Sequence, residues 1–472
     1  MKKISLLLTC ALVMALAVPA FAAEDNVKIT GEVKTVFEIG NYSSGEEAAT
    51  VNLWADDDAL DLDNPFDGDG DGDMDDYPAE KAFYQEIDFN VAGNLDNINF
   101  NLAVDTLTNV FSETSTYNDP TYGKFGVYED DQDIVMDTAL LTVSNEFATL
   151  KAGDLEDYNN ERYFIYDDED MEGVEVTTNV SDYAVKAFVL GEDDDDQGDS
   201  NDGSDYYGVT ATKNFANGSF TGKLFHARTA SVDDIGDLDK VTDVAGALTY
   251  DVNDVFTVNG EVVFNSWENG DSDDNDSLFN LGANYQATDT VTLRGKFETV
   301  GEQFAAPLND LEETADYDLF NVGADFVVNA NNTLKADYTL VSPGDELANL
   351  KGGDEDKNTV ELSWDNVSGA FTNTASVEFT AKDGYADNTD VTVFTVGTKY
   401  AMSDVTTVTG KIVNQSADDY YDNEFTYLAA GLNTKLSDSI SWNTEAKYIT
   451  GSDKNDKDGE GNSVKTVLAV SF

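Results

Sequence analysis

Five aspartates alternate with other residues in one short acidic stretch, "DNPFDGDGDGDMDDY" (63–77). They are Asp67, Asp69, Asp71, Asp73 and Asp75. Carboxylate oxygens two residues apart can converge on one Ca²⁺ when glycine lets the loop bend, and Gly72 lies among them. The spacing predicts a calcium site within an insertion over 55–78, and a solvated acidic loop without metal is the alternative.

The same stretch resembles the calcium loops of the thrombospondin and dockerin kinds. Pro78 stands where an EF-hand loop carries its closing glutamate, so the resemblance is incomplete. Calcium binding and plain solvation therefore both stay open, and calcium is the one cofactor that the sequence suggests.

The sequence shows no recognisable set of catalytic residues. His226 is the single histidine, and one histidine makes neither a triad nor a zinc site. No glycine-rich phosphate loop is present, so the sequence predicts no catalytic residues and no enzyme. The formal net charge of -68 makes nucleic acid an improbable partner, because such binding needs basic side chains to neutralise phosphates.

The first 22 residues have the features of a secretory signal peptide. Lys2 and Lys3 precede an apolar stretch, and Ala20-Phe21-Ala22 forms an A-x-A cleavage site. We expect a mature chain over 23–472 that has lost Cys10, the only cysteine, and with it any disulfide. Cleavage also removes two lysines, which leaves 24 basic against 94 acidic groups and a net charge of -70.

A repeating hairpin organises the mature chain. Alternating segments of about 9 to 13 residues are joined by tight turns rich in Asn, Asp, Ser and Gly, near residues 95, 146, 180, 217, 253, 288, 331, 368, 404 and 438. Longer acidic segments such as 192–205 and 267–276 connect successive hairpins. These strands exceed the mode of about 5 to 6 residues in soluble sheets and match the roughly 9 to 11 that cross a bilayer.

The two faces of each strand differ. Phe256, Val258, Val262 and Phe264 alternate with polar residues, and the final "SVKTVLAVSF" alternates up to Phe472. Period-2 alternation gives one apolar and one polar face, and this pattern alone does not separate a protein core from lipid as the apolar environment.

The signal peptide, the cysteine-free mature chain, the hairpin period and the terminal "TVLAVSF" together resemble the bacterial outer-membrane porins. The resemblance implies an all-β fold, a transmembrane antiparallel up-and-down barrel without a plug domain, located in the bacterial outer membrane and surrounded by its lipid. We count about 22 strands and take 16 to 22 as the range. In this family the last strand is recognised by the barrel assembly machinery, a role that would fall to Leu468, Val470 and Phe472. A homotrimer is a further possibility that the family suggests.

The same resemblance points to a pore constriction. In classical porins the loop after the fifth strand folds inward, and the segment 151–176 follows the fifth strand that we count. Aromatic residues accompany its charged candidates, which are Asp154, Glu156, Asp157, Arg162, Asp167 and Asp168. A plain external loop is the alternative, because the opposing arginine cluster of the classical constriction is missing.

The expected function is a passive channel for ions and small hydrophilic solutes that prefers cations. Alternation puts five carboxylates on the face opposite the lipid: Glu261, Glu298, Asp337, Glu361 and Glu378. Lys296, Lys335 and Lys447 on that face offset only part of their charge. The alternative is a secreted calcium-binding all-β surface or adhesin protein.

Overall fold

A single antiparallel sheet accounts for the regular structure of this chain. The computed structural model describes residues 27–42, 81–95, 98–109, 134–166, 169–192, 204–232, 236–270, 272–313, 315–345, 347–348, 356–382, 390–418, 422–452 and 458–472. These residues form 22 strands. In chain order they are β1 Val27–Tyr42, β2 Lys81–Leu95, β3 Ile98–Asn109, β4 Ile134–Ser144, β5 Ala148–Tyr158, β6 Glu169–Val180, β7 Tyr183–Glu192, β8 Asp205–Phe215, β9 Gly218–Val232, β10 Gly236–Asn253, β11 Phe256–Asn269, β12 Ser272–Thr288, β13 Val291–Val300, β14 Tyr317–Asn329, β15 Asn332–Pro343, β16 Lys357–Ser368, β17 Phe371–Lys382, β18 Asp390–Ser403, β19 Thr406–Ala417, β20 Asn423–Ser437, β21 Ile440–Ser452 and β22 Asp458–Ser471.

Each strand pairs with the next along the chain, and the first pairs with the last. β1 runs antiparallel to β22 from Glu32↔Ser471 to Tyr42↔Gly461, so the sheet closes on itself. Closure leaves no sheet edge exposed at the ends of the chain. The expectation of an up-and-down antiparallel barrel is confirmed, and the strand number agrees with the count of 22 from the sequence. Among the described residues there is no separate plug domain, and no helix is long and apolar enough to cross a membrane.

Asparagine, serine and threonine side chains support the tight turns at one end of the barrel. The Asn145 side chain accepts hydrogen bonds from the backbone N–H of Phe147 and Ala148, and Asn253 does the same for Val255. Such local bonds fix a short turn between strands. The described turns fall where the sequence predicts them, for example at 289–290, 404–405 and 438–439.

Outward side chains form an apolar belt around the barrel. Neighbouring residues of β11 illustrate the division, since Phe264 is 62% exposed on the outer face and Val263 is fully buried on the inner face. Solvent-exposed apolar residues of this number belong against lipid. The alternation in the sequence did not show whether the apolar faces pack in a protein core or against lipid. In the structure these faces point outward from the barrel, which indicates lipid.

The wall is irregular between β4 and β5. This ladder holds five residue pairs, from Leu140↔Gly153 to Ser144↔Thr149, although both strands extend beyond the Leu140↔Gly153 pair. Gly153 has a φ of 118°, and an added Cβ would lie 1.8 Å from the carbonyl oxygen of Ala139. Only glycine tolerates that conformation and that contact, and from this point the top of β5 leaves β4.

Candidate pore constriction

The connection between β5 and β6 turns into the barrel. Residues 159–166 bend back at a bridge between Glu161 and Phe164, and Tyr163, Phe164 and Ile165 are buried. The Phe164 ring stacks on Phe225 of β9 at 4.8 Å and meets Tyr206 of β8 edge-on at 5.7 Å. These apolar and aromatic contacts hold the loop against the inner wall.

A second inward loop connects β13 and β14, and the sequence analysis missed it. Phe304, Ala305 and Ala306 are at most 1% exposed. The Asn265 side chain on β11 donates to the Ala305 carbonyl at 2.9 Å and accepts from the Ala305 N–H at 3.0 Å. The apolar run "FAAPL" (304–308) within a long acidic connection was the available signal, because an external loop in water gives such a run nothing to pack against.

The two inward loops are bonded to each other. The Tyr166 N–H donates to the Leu308 carbonyl at 2.8 Å, and the Asp310 N–H donates to the Arg162 carbonyl at 2.7 Å. We call residues 159–166 and 301–313 together the inward insert. Because main-chain bonds join its halves, movement of one loop must disturb the other.

Arg162 connects the inward insert to the wall. Its Nη1 donates to Glu298 Oε2 of β13 at 2.6 Å, and its Nε and Nη2 donate to the Asp310 carbonyl at 3.1 and 2.7 Å. Glu298 is fully buried, and it also accepts from the Tyr317 hydroxyl at 3.0 Å and lies 3.1 Å from Lys296 Nζ. Burial lowers the pKa of Arg162, but the Glu298 carboxylate offsets this and holds the pKa above its ordinary value.

Two carboxylates share one ammonium below the same loop. Lys223 Nζ of β9 lies 2.8 Å from Glu161 of the loop and 2.7 Å from Glu261 of β11. The Tyr163 hydroxyl donates to Glu261 at 3.0 Å. Burial raises the pKa of Glu161, with a smaller opposing effect from Lys223, and burial also raises the pKa of Tyr163. The loop therefore carries a titratable group at its contact with the wall.

The structure brings one of the predicted constriction residues, Arg162, into the insert. Asp154 instead accepts a hydrogen bond at 2.6 Å from the Ala139 N–H of β4, where it replaces the missing strand partner. Glu156 and Asp157 are exposed at the top of β5, and the Asp157 N–H donates to the Asp170 side chain. The segment 151–176 is thus partly strand, since β5 and β6 take its two ends.

Several predicted sites lie outside the described residues. Asp167 and Asp168 of the constriction set are among them, as are the signal peptide 1–22 and the calcium candidates Asp67, Asp69, Asp71, Asp73 and Asp75. Within the described residues no group of three or more acidic, histidine or cysteine side chains is arranged to hold a metal. Calcium binding remains a prediction from the sequence.

Most lumen carboxylates named by the sequence have basic partners. Glu261 contacts Lys223, Glu298 contacts Arg162 and Lys296, and the two Asp337 oxygens accept from Arg294 at 2.9 and 2.8 Å. Glu361 and Glu378 face each other in register across β16 and β17. The inner face assigned from alternation is correct, but its charge is more nearly balanced than the sequence suggested.

The wall opposite the inward insert keeps water-accessible charged groups. Lys34 and Asp88 pair at 3.1 Å with side chains 33% and 36% exposed, and Glu445 is 49% exposed. The insert packs instead against the strands near β8 to β14. The lumen therefore has one side filled by the insert and one side that carries water-accessible charges, beside a smaller buried apolar cluster around Phe425 on the inner face of β18 to β21.

The C-terminal residues lie on the outer face at the barrel closure. Leu468, Val470 and Phe472 are 40%, 37% and 60% exposed. Phe472 exchanges two main-chain hydrogen bonds with Gly31 of β1, at 2.9 and 3.1 Å, and its ring lies where a Cβ on Gly31 would be. The last residue thus helps to join the two ends of the sheet.

No family model matches the chain, and no curated protein matches it. Three solved structures from Pseudomonas aeruginosa are similar to it at low identity. OpdQ is 9% identical over 94% of this chain and 98% of its own, with a TM-score of 0.41. OprD is 8% identical over 94% and 95%, with a TM-score of 0.41, and OpdO is 12% identical over 95% and 97%, with a TM-score of 0.38. At these scores the likenesses do not bear on function.

The class of protein follows from the chain itself. An even-numbered closed barrel with an apolar outer belt, tight turns at one end and longer connections at the other is the architecture of bacterial outer-membrane proteins. This chain is an outer-membrane β-barrel with the fold of a porin, and the resemblance indicated by its sequence is confirmed at the level of fold.

Proposed function

We propose that the protein is a passive channel for ions and small hydrophilic solutes across the outer membrane. The observation that carries this proposal is the water-accessible, charged wall that faces the inward insert, exemplified by Lys34, Asp88 and Glu445. Barrels of 16 to 18 strands already enclose an aqueous channel, and 22 strands enclose a wider lumen that needs narrowing. The inward insert supplies that narrowing from one side.

In this proposal the inward insert forms the narrowest section of the pore. Arg162 and the Glu161–Lys223–Glu261 group hold it in place, and permeating solutes pass between it and the opposite wall. Asp154 contributes to the wall, while the part of Asp167 and Asp168 stays a prediction from the sequence.

A preference for cations is the finer part of the proposal. The wall contributes little to it, because ion pairs such as Arg294–Asp337 place opposite charges side by side. The preference comes from the excess of 94 acidic over 26 basic residues in the chain, much of it in connections between strands such as 192–205. Acidic groups at a pore mouth concentrate cations and repel anions.

Planar bilayers under a KCl gradient test both parts. We expect channels whose reversal potential favours K⁺ at about 0.1 M salt, with a preference that shrinks toward 1 M as the screening length falls from about 10 to about 3 Å. Purified, folded protein that forms no channels would overturn the channel, whereas channels that prefer chloride would overturn only the cation preference.

Two further expectations from the sequence, calcium binding and a homotrimer, are tested by separate experiments. Isothermal titration with CaCl₂, on the intact barrel and on a variant with Asp69 and Asp71 changed to Asn, tests the calcium site. Extraction in mild detergent followed by mass determination tests the homotrimer. A secreted calcium-binding surface protein is the less favoured alternative, because the apolar belt would then face water.

A further inference from the structure

Two basic side chains stand next to each other on the outer face at the long-loop end of the barrel. Arg228 of β9 and Lys240 of β10 are directly opposite in register. Residues opposite each other in an antiparallel pair have Cβ atoms about 4.5 to 5.5 Å apart, and like charges in such positions destabilise the sheet. We call Arg228 and Lys240 the outer cationic pair.

The pair is unusual for this chain. Among the described side chains, most basic groups point into the lumen, and the only other one on the outer face is Lys213, at the opposite, tight-turn end of β8. Elsewhere on the outer face, long-loop ends of strands carry exposed acids, among them Glu172, Asp273, Asp318, Glu424 and Glu460. Among the described side chains, the outer cationic pair is therefore the only place on this rim where bases offset the neighbouring acids.

Three successive cross-strand rows lead from lipid to the pair. The lowest row is apolar and half exposed: Val209, Leu224, Val244 and Phe264, at 45%, 51%, 52% and 62%. Above it lie Tyr207, His226, Thr242 and Ser266, in which the His226 ring bonds to Thr242 at 2.8 Å. The third row is Asp205, Arg228, Lys240 and Glu268. This order of apolar, aromatic and polar, then charged residues matches the passage from acyl chains to headgroups.

Both cations keep room for an added anion. Lys240 contacts Glu268 at 2.7 Å, and Arg228 has one long contact of 3.9 Å with Asp205. Each acid lies on the far side of its base, and the two basic side chains remain 61% and 43% exposed. An anion placed between them would contact both and relieve their mutual repulsion, and guanidinium binds phosphate with paired hydrogen bonds.

We propose that the outer cationic pair binds the phosphate of a phosphorylated lipid in the outer leaflet, with the lipid's acyl chains against the Val209–Leu224–Val244–Phe264 row. The long-loop end of such barrels faces the cell exterior, which places the pair at the outer leaflet. The site is independent of the pore and does not depend on the proposed channel function.

The test measures lipid retention by the folded, detergent-purified barrel. Native mass spectrometry would compare a diphosphorylated glycolipid, the same glycolipid without phosphate, and inorganic phosphate. The double variant R228Q/K240Q removes the pair, and Lys213→Gln is the matched control, because Lys213 is an outward base at the other end. Heat-modifiable migration on gels confirms that each variant is folded.

We expect the double variant to retain the diphosphorylated glycolipid at least tenfold less than the parent, and Lys213→Gln to differ less than twofold. The parent should retain the glycolipid without phosphate no better than the double variant retains the diphosphorylated glycolipid. Equal retention by the parent and the double variant would overturn the proposal. Equal affinity for inorganic phosphate alone would overturn the lipid as ligand. Retention that survives in the double variant but disappears with a chelator would also overturn the proposal, and would assign binding to divalent cations at acidic groups such as Glu268 and Asp273, which face each other across β11 and β12.

Discussion

Removal of the Arg162 side chain is the sharpest test of the inward insert. In Arg162→Ala the insert loses its ion pair with Glu298 and two hydrogen bonds to the Asp310 carbonyl. Loss of one partner of a buried pair costs about 3 to 5 kcal/mol, but Arg162 is 33% exposed and Lys296 still neutralises Glu298. We therefore expect the docking of the insert to weaken by about 2 to 3 kcal/mol, which is roughly a 30- to 150-fold shift toward the undocked state.

Single-channel recordings would show this shift directly. The variant should give a larger unit conductance, or frequent transitions to a larger level, while its heat-modifiable migration stays that of the parent because the strand ladders are intact. Arg294→Ala is the matched control, since Arg294 is also an inward arginine paired with two acids, Asp325 and Asp337, on the strands. Conductance and noise in Arg162→Ala that are indistinguishable from those of the parent and the control would refute the docking argument.

Three further changes test other contacts. Because burial raises the pKa of Glu161 in the docked loop, protonation favours docking, so docking should strengthen as pH falls toward the ordinary value of 4.5 and weaken as pH rises through the docked pKa. The population of the large-conductance state should change by at most tenfold per pH unit, and Glu161→Gln should remove that dependence. A variant with the same pH profile as the parent would contradict this role of Glu161. Deletion of Phe472 removes two main-chain bonds to Gly31, and we expect less protein in the outer membrane fraction and more in the periplasm on immunoblots, whereas unchanged insertion would contradict the assembly role. Asn265→Ala should weaken the docking of the second loop at Ala305 by about 1 to 3 kcal/mol and increase proteolysis of that loop in the folded barrel. Identical digestion of parent and variant would contradict this role of Asn265.

Much of the inward insert was visible in the sequence only as composition. The aromatic residues Tyr163 and Phe164 indicated that the connection after β5 was not an ordinary external loop, and Arg162 is the charged residue of the predicted set that lies in the inward insert. Asp154 was placed in the same set because it is close in sequence, but a strand residue beside Gly153 serves the wall when the ladder ends there. The loop over 301–313 escaped notice because its partners, such as Asn265, are far away along the chain.

The sequence by itself determined the strands and turns from which the barrel is built. Alternation has a period of two and turn residues act on their immediate neighbours, so the approximate strand number, the turn positions and the apolar face of each strand follow from local pattern. Only the tertiary structure decided which connections enter the lumen, that Arg162 meets Glu298 across 136 residues of chain, and that Arg228 lies opposite Lys240. These are long-range contacts, set by strand register and barrel closure, and no short segment contains the information that fixes them.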